Sequence, residues 1–326
     1  LINDVLDMSK IESSEVVLNQ EPVSLAEQVG QIESIIRSQT NERGQKFVIR
    51  VHEVAHEYLI GDSVRLRQII INLLSNAVKY TPYGGSLALD LAELPCEVED
   101  HSTIRITVTD TGYGMEPEFV AHIFEPFTRA ERSVTNKVQG TGLGMAITKS
   151  IVDMAGGTIE VHSELDKGSR FDVTLTMPID HSMEREVKAK GVLLVADEEV
   201  LIRNMSASMK QAHVPFRSVS TEEEAVKLLG GSRFDVILLA GHLHDQTLAE
   251  TVELLRKAAA DAVLIFCCDY AQREKVLDTL MKNGVDGLIA RPFFLSTLIS
   301  AIDHVRENAP VAESHHSVLN GMRFLC

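Results

Sequence analysis

The chain has 326 residues, 44% of them apolar, and a formal net charge of −16 from 31 basic and 47 acidic side chains. This length allows about two globular domains, and the acidic balance argues against general nucleic-acid binding. A polyanionic ligand would therefore have to be bound locally, by placed basic side chains, amides and a metal. Because neither a membrane-spanning run nor a signal peptide is recognisable, we expect a cytoplasmic fragment without membrane contact.

The four cysteines are Cys96, Cys267, Cys268 and Cys326, and their spacing is not that of a metal site. Cys267 and Cys268 lie inside an apolar run, so we expect buried thiols rather than disulfides.

The first part of the chain is predicted to begin with helices. Residues 1–18 have apolar residues at helical spacing without a start signal, so the chain is expected to begin inside a helix that Pro22 ends. Ser24 and Glu27 form a Ser-x-x-Glu capping box, which predicts a second helix through about Thr40.

Alternating apolar residues predict several strands in this half of the chain. They cover residues 47–51, 86–92, 104–108, 158–162 and 171–177.

A further helix is predicted to begin after Asp62, its N-cap. Its buried stripe has four members: Leu66, Ile70, Leu73 and Ala77. Another side carries Asn72, Asn76 and Lys79, since residues three and four apart share a helix face. Amide oxygens suit Mg²⁺, and a lysine neutralises phosphate charge. The alternative is a solvated polar face, which becomes less favoured when two glycine-rich loops are also present.

The two glycine-rich loops are Asp-Thr-Gly-Tyr-Gly-Met (110–115) and Gly-Thr-Gly-Leu-Gly-Met (140–145). Glycine lets a backbone approach phosphate closely, and the second loop leads into a helical pattern at 143–155 whose first amides would face an anion. Either loop alone is more often a tight turn. Together with the polar helix face, they predict a nucleotide site.

Asp110 stands at the end of a predicted strand. Its carboxylate is placed to accept a hydrogen bond from an adenine amino group, and the alternative is an Asx turn that caps the strand. The polar segment 128–139, which carries Arg129, Arg132 and Lys137, is predicted to be a mobile lid over the site.

Five ordered motifs in residues 1–178 resemble those of the catalytic and ATP-binding domain of a sensor histidine kinase, a member of the GHKL class. The asparagine box is Asn-Leu-Leu-Ser-Asn-Ala-Val-Lys-Tyr-Thr (72–81), and the two glycine loops are the glycine boxes. Phe-Glu-Pro-Phe (124–127) resembles the phenylalanine box, and Lys-Gly-Ser-Arg-Phe (167–171) resembles the start of the strand that follows.

The resemblance implies an α/β sandwich of mixed sheet and three helices over residues 19–180, with ATP and Mg²⁺ as cofactors. It places Asp110 on adenine, Asn72 and Asn76 on Mg²⁺, and Lys79 and Tyr80 near the phosphates, with Asn76 and Lys79 as catalytic candidates. The two loops and the lid complete the implied nucleotide-binding set: Gly112, Gly114, Arg132, Gly140, Thr141, Gly142, Leu143 and Gly144.

The implied activity is transfer of the γ-phosphate of ATP to a histidine. Residues 1–18 resemble the end of the second dimerisation helix, and the helix that bears the phosphorylated histidine is missing from this sequence. The expected partners are the dimerisation and histidine-phosphotransfer helices of the same protein, a downstream receiver domain or response regulator, and a second copy in a homodimer. The resemblance also allows a membrane anchor in a missing N-terminal sensor region.

The alternative is a related ATPase of the gyrase, MutL or chaperone type, or an ATP-binding regulatory module without kinase activity. Those ATPases carry a glutamate base where Asn72 stands. An amide cannot take a proton from water, so transfer to histidine is favoured over hydrolysis.

After a linker at 181–190, residues 191–307 change periodicity. Apolar runs at 192–195, 236–239, 263–266 and 288–290 alternate with helical stretches, which predicts a doubly wound parallel sheet of the flavodoxin-like type. This half resembles a response-regulator receiver domain.

The receiver site, however, is degraded. Ala196-Asp197 stands for the acidic pair, Ala240 for the phosphorylated aspartate, about Cys268 for Thr or Ser, and Arg291 for the lysine. Ala240 has no oxygen to form an acyl phosphate. Asp235 lies too far back along the strand, and Asp245, expected in the following loop, is a weak substitute.

We therefore expect a regulatory or docking module that is not phosphorylated. A ligand lined by Arg291 and Asp197 in the vestigial pocket is a less favoured alternative. Residues 308–318 have linker composition, and 321–326 align with 191–196, so a second receiver is expected to follow.

Overall fold

A computed structural model of the chain describes residues 6, 8, 9, 13, 17–128, 141–183, 189–240, 245–269, 284–292 and 294–308. The chain divides into two compact units, Leu1–Glu184 and Arg185–Cys326. Within the described ranges, no helix is both long enough and apolar enough to cross a bilayer.

The first unit contains the helices α1 (Leu25–Glu42), α2 (Ser63–Tyr80), α3 (Pro117–Val120) and α4 (Gly144–Met154), together with a short 3-10 helix at His181–Met183. The predicted caps are confirmed. The Ser24 hydroxyl accepts a hydrogen bond from the Glu27 amide at 3.2 Å, and Asp62 accepts one from the Arg65 amide at 2.9 Å. The predicted apolar stripe of α2 is buried throughout. Pro22, which was expected to end the first helix, lies instead in a strand.

Two sheets complete this unit. The smaller pairs β1 (Glu21–Ser24) with β3 (Tyr58–Gly61) antiparallel, which the sequence did not predict. The larger has the order β2-β4-β5-β7-β6, in which only β2 and β4 are parallel. Its strands are β2 (Lys46–His52), β4 (Ser86–Leu94), β5 (His101–Asp110), β6 (Thr158–Glu164) and β7 (Gly168–Pro178).

Buried apolar side chains alternate with less buried ones along β2 and the first six residues of β4, so one face of the larger sheet packs into the core. The three longer helices, α1, α2 and α4, contact this sheet, and so does the four-residue α3. The predicted α/β sandwich of mixed sheet and three helices is therefore confirmed.

The second unit is a five-stranded sheet in which all strands are parallel, in the order β12-β11-β10-β8-β9. Its strands are β8 (Val192–Val195), β9 (Phe216–Val219), β10 (Val236–Ala240), β11 (Val263–Asp269) and β12 (Gly287–Arg291). The described helices are α5 (Glu199–Gln211), α6 (Glu222–Leu229), α7 (Asp245–Ala258) and α8 (Leu295–Asn308).

Both faces of this sheet are covered. Met205 of α5 and Leu298 of α8 belong to one buried apolar cluster, whereas Ala225 of α6 and Leu255 of α7 belong to a second. Successive residues of β8 alternate between these two clusters. The strand order, read from β9, is the second, first, third, fourth and fifth strand of the unit, which is the flavodoxin-like order. The predicted doubly wound sheet is confirmed.

Candidate nucleotide site

The polar side of α2 presents the three residues that the sequence singled out. Asn72 and Asn76 are half-buried and Lys79 is exposed. The neighbouring helix positions Leu73, Leu74 and Ala77 are buried. The three polar side chains thus lie at the border between the core and solvent, where a ligand can reach them.

Asn72 connects α2 to the start of α4. Its side-chain Nδ2 donates hydrogen bonds to the Gly144 carbonyl at 3.2 Å and to the Thr148 hydroxyl at 3.3 Å. Because a carbonyl oxygen can only accept, the amide nitrogen of Asn72 must make the bond to Gly144, and Oδ1 takes no part in it. The sequence predicted Asn72 only as a metal ligand and gave no sign of this contact.

The first glycine loop packs on the C-terminal end of α2. The Tyr113 amide donates to the Tyr80 carbonyl at 3.1 Å. A Cβ atom at Gly112 would lie 2.5 Å from that same carbonyl oxygen and 2.6 Å from Asp110 Oδ1. Gly114 has a φ of +60°, and a side chain there would overlap the backbone of Glu164. Both glycines are therefore required by close backbone approach.

Asp110 is buried at the end of β5, with 7% of its surface exposed. Its Oδ1 accepts a hydrogen bond from the Gly112 amide at 2.7 Å, so the Asx turn considered from the sequence is present. Burial raises the pKa of this carboxyl to about 6, against backbone hydrogen bonds from Gly112 and Ser169 that act to lower it. A buried carboxyl with a perturbed pKa in a loop cluster is typical of a functional site.

The second glycine loop contacts the phenylalanine box. The Phe127 amide donates to the Gly142 carbonyl at 3.0 Å, and a Cβ atom at Gly142 would lie 2.9 Å from the Phe127 carbonyl carbon. Gly142 has a φ of +72°, and Phe127 itself has a positive φ of 63°. Positive φ at a phenylalanine stores backbone strain, which is commonly found at ligand-binding sites.

Helix α4 begins at Gly144, directly after this loop. Leu143 occupies the N-cap and provides no side-chain hydrogen bond to the helix, while its own amide bonds the Thr141 hydroxyl at 3.3 Å. The first turn of a helix carries unpaired amides and a partial positive charge. An anion such as a phosphate can therefore bind at this end of α4.

The start of β7 packs against the first glycine loop. Gly168 has a φ of +107° and is packed against the Asp110 backbone so closely that a side chain would overlap it. The Ser163 hydroxyl donates to the Gly168 carbonyl at 3.0 Å and accepts from the Met115 amide at 2.9 Å. All five sequence motifs are thus joined by direct contacts, except for the residues of the second glycine box and lid that lie outside the described part.

Within the predicted site, Gly140 and residues 129–139 of the lid, with Arg132, fall outside the described residues. The same holds for most of the predicted dimerisation helix at 1–18 and for the predicted linker and receiver start at 309–326. Two residues that sequence reasoning missed are Arg43 and Gln45, which bind the last carbonyls of α2. Neither has a local sequence signal, since both act on a segment more than 30 residues away.

In the second unit, two positions that correspond to the phosphorylation site of a receiver domain are alanines. Ala196 and Ala240 are both buried, and they follow directly on Val195 and Leu239, which are in register. Cys268 is buried too, and burial raises the pKa of its neighbour Cys267 to about 12. These side chains form an apolar edge without a carboxylate.

Arg291 forms an ion pair with Glu198 in this second unit, whereas Asp197, its expected neighbour in the pocket, is exposed. Asp235 has a structural role: its carboxylate accepts from the amides of Lys190 at 3.0 Å and Gly191 at 2.9 Å. Asp245, which was expected in a loop, is instead the first residue of α7.

Comparisons with known proteins agree with this geometry. Residues 61–180 match the family described as histidine kinase-, DNA gyrase B-, and HSP90-like ATPase. The chain is 30% identical over 310 residues to the autoinducer 2 sensor kinase/phosphatase LuxQ of Vibrio parahaemolyticus, a match that covers 90% of this chain and 35% of LuxQ. It is 37% identical over 178 residues to the sensor protein GacS of Pseudomonas syringae pv. syringae, covering 55% of this chain and 19% of GacS.

The crystal structure of full-length ShkA in complex with AMPPNP superposes with a TM-score of 0.55 at 23% identity, covering 96% of this chain and 62% of ShkA. This similarity shows a shared fold. The chain spans about a third or less of the length of the curated relatives it matches. Residues 61–180 are thus a domain of the histidine kinase-, DNA gyrase B-, and HSP90-like ATPase family, in a chain whose homologues are sensor histidine kinases.

Proposed function

We propose that this chain binds Mg-ATP and transfers the γ-phosphate to a histidine on a dimerisation helix of a hybrid histidine kinase, in two-component signal transduction. The observation that supports this most directly is that α2, which carries Asn72 and Asn76, contacts both glycine loops. Tyr80 of α2 binds the first loop, and Asn72 of α2 binds the start of α4. One helix thus holds the loop beside the buried carboxylate and the helix end that suits phosphate.

The roles of the side chains follow from this arrangement. Asp110 accepts a hydrogen bond from the adenine amino group while its Oδ1 is fixed by Gly112. The amides at the start of α4 bind phosphate oxygens, and the exposed Lys79 ammonium neutralises phosphate charge. Oδ1 of Asn72 and of Asn76 are the oxygen ligands offered to Mg²⁺, which compensates the charge of the phosphates. The lid at 129–139, with Arg132, is assigned to the phosphates by family resemblance alone.

Transfer to histidine is favoured over hydrolysis by the chemistry of Asn72. A hydrolase needs a base that activates water, and an amide is not one. The Nδ2 group of Asn72 is also engaged by Gly144 and Thr148. The side chain therefore positions α4 and offers its oxygen to a cation, which requires no proton transfer.

The receiver-like unit is proposed to regulate or dock without being phosphorylated. Its strand ends carry Ala196 and Ala240, which offer no carboxylate for metal binding or for an acyl phosphate. The fold persists because its two apolar clusters do not depend on that chemistry. The partners proposed for the chain, by family resemblance, are the dimerisation and histidine-phosphotransfer helices of the same protein, a downstream receiver domain or response regulator, and a second copy in a homodimer.

The decisive experiment supplies a histidine acceptor on a separate domain. The chain is mixed with a separately produced dimerisation domain that carries the histidine, and with ATP labelled at the γ-phosphate. We expect acid-labile label on that domain, Mg²⁺-dependent nucleotide binding by the chain, and no label on the chain itself. Steady-state release of phosphate without label transfer would support the ATPase alternative. Binding without either reaction would support a purely regulatory module.

A further inference from the structure

The C-terminal part of α2 carries Asn76, Lys79 and Tyr80, three of the residues in the proposed site, and the helix ends without a glycine cap. The C-cap is Thr81, whose amide bonds the Ala77 carbonyl at 3.0 Å. The last carbonyls of a helix have no partner inside the helix and must find one elsewhere. In α2 these are the carbonyls of Val78, Lys79 and Tyr80, together with that of Thr81 just beyond the end.

Those carbonyls are bound from the segment that joins α1 to β2. Gln45 Nε2 donates to the Val78 carbonyl at 3.1 Å and to the Thr81 carbonyl at 2.8 Å. The Arg43 guanidinium also donates to Val78 and reaches the Lys79 carbonyl at 3.4 Å. The remaining carbonyl, that of Tyr80, accepts from the first glycine loop at Tyr113.

Gln45 is held in this position by burial. Only 6% of its surface is exposed, and its Oε1 is buried without a hydrogen-bond partner in the described residues. Because carbonyl oxygens only accept, the amide nitrogen must face α2. A buried polar side chain with one unsatisfied atom is rare, which indicates that the bonds of its Nε2 group are what retain it.

Arg43 supplies charge to the same place. A cation at the C-terminal end of a helix is favourable because the helix dipole is negative there. Its guanidinium also lies 5.3 Å from the centroid of the Tyr83 ring, in the turn after α2. With Arg43 and Gln45 on the carbonyls, the Lys79 ammonium is not needed to cap its own helix and remains exposed to solvent.

We propose that Gln45, assisted by Arg43, is a positioning residue for the nucleotide site. It fixes the last turn of α2, which carries Lys79 and directly follows Asn76, and through Tyr80 it fixes the first glycine loop beside Asp110. It does so without touching the nucleotide. This inference rests on the proposed function, because it concerns the same site.

The test replaces the donor and keeps the volume, with Gln45→Met. Its matched control is Gln28→Met, since Gln28 is 4% exposed and also bonds α2, but near its start, where its Oε1 accepts from Arg67 at 3.1 Å. Mg-ATP affinity of the whole chain is measured well below the melting temperature of each variant. Hydrogen exchange of the amides at 77–81 and 112–114 is followed in parallel.

We expect Gln45→Met to weaken Mg-ATP binding by about tenfold or more and to speed exchange at both segments. We expect Gln28→Met to stay within about twofold of the wild type. Gln45→Lys, which returns an N–H donor, should recover most of the affinity. In the assay with a supplied dimerisation domain, Gln45→Met should raise KM for ATP more than it lowers kcat.

Two results would overturn the inference: wild-type affinity in Gln45→Met, or an equal loss in Gln28→Met at equal stability. Absence of Mg-ATP binding by the wild type would instead refute the proposed function, so the two failures are distinguishable.

Discussion

Arg291 at the end of β12 forms an ion pair with Glu198, which lies between β8 and α5. The arginine side chain is 16% exposed and the glutamate 39%. Ala240 stands at the end of the strand between β8 and β11. In a receiver, by resemblance, the basic residue at the position of Arg291 faces the phosphorylated aspartate. Here the carboxylate of Glu198 neutralises Arg291 instead.

The first prediction concerns phosphorylation of this unit. Incubation of the chain with a small phosphodonor and Mg²⁺ should leave the mass of every peptide from 191–307 unchanged. The reason is that Ala240 has no nucleophilic oxygen and Ala196 provides no carboxylate for the metal. A phosphorylatable response regulator in the same reaction is the control for an active donor. Mass spectrometry that finds a phosphoryl adduct within 191–307 would contradict this reading.

The second prediction concerns the ion pair. Glu198→Gln should lower the free energy of unfolding of the receiver-like unit by about 1–2 kcal/mol, between the values for exposed and buried pairs. Glu199→Gln is the control, because the Glu199 side chain is 81% exposed and lies 3.8 Å from Arg203. Glu199→Gln should lower the free energy of unfolding by less than about 0.5 kcal/mol. Hydrogen exchange of the β8 and β10 amides in the whole chain measures both, and equal effects would show that the pair adds nothing.

The third prediction uses two glycines of the ATP-binding unit. Gly112→Ala should reduce Mg-ATP affinity by about tenfold or more, because the new Cβ would lie 2.5 Å from the Tyr80 carbonyl oxygen and push the first loop away from α2. Gly30→Ala, in α1, adds a Cβ with nothing within 4 Å and should stabilise the chain by about 0.5–1 kcal/mol without changing affinity. Titration calorimetry and thermal unfolding separate the two. Normal binding by Gly112→Ala would mean that the loop position is not critical.

Local patterns predicted much of this molecule because they act within a few residues. Ser24 and Asp62 cap their helices through amides three residues away, and β8 and β10 of the second unit are short, fully buried runs. The edge strand β9 is mostly not buried and lies outside the predicted runs. Features formed by distant residues were missed. The β1–β3 pair joins segments nearly 40 residues apart, Asn72 bonds Gly144, and Glu198 rather than Asp197 pairs with Arg291. Such partners depend on tertiary packing, which short-range spacing does not encode.

The fourth prediction separates the two asparagines of α2. Asn76→Ala should abolish Mg²⁺-dependent nucleotide binding while leaving thermal stability unchanged, since no hydrogen bond of its side chain is present in the described part of the chain. Asn72→Ala should also cost about 1 kcal/mol of stability, because it removes the bonds to Gly144 and Thr148. Binding with and without Mg²⁺, together with urea unfolding, tests both. Equal stability losses would disprove the distinction.

The last prediction follows from the buried carboxyl of Asp110, whose pKa burial raises to about 6. The folded state holds this proton more tightly than the unfolded state, in which the pKa is near the ordinary value of 3.8. Ionisation of this carboxyl therefore lowers the free energy of unfolding as pH rises from about 4 to above 6, and the total decrease is about 3 kcal/mol. Asp110→Asn removes that penalty, so it should stabilise the chain at neutral pH and much less near pH 4. The same variant should lose Mg-ATP affinity, because the amide offers one acceptor oxygen and turns a donor toward the adenine amino group or the Gly112 amide. Urea unfolding of both proteins at the two pH values measures the difference, and a gain that is the same at both would show that Asp110 is already ionised in acid.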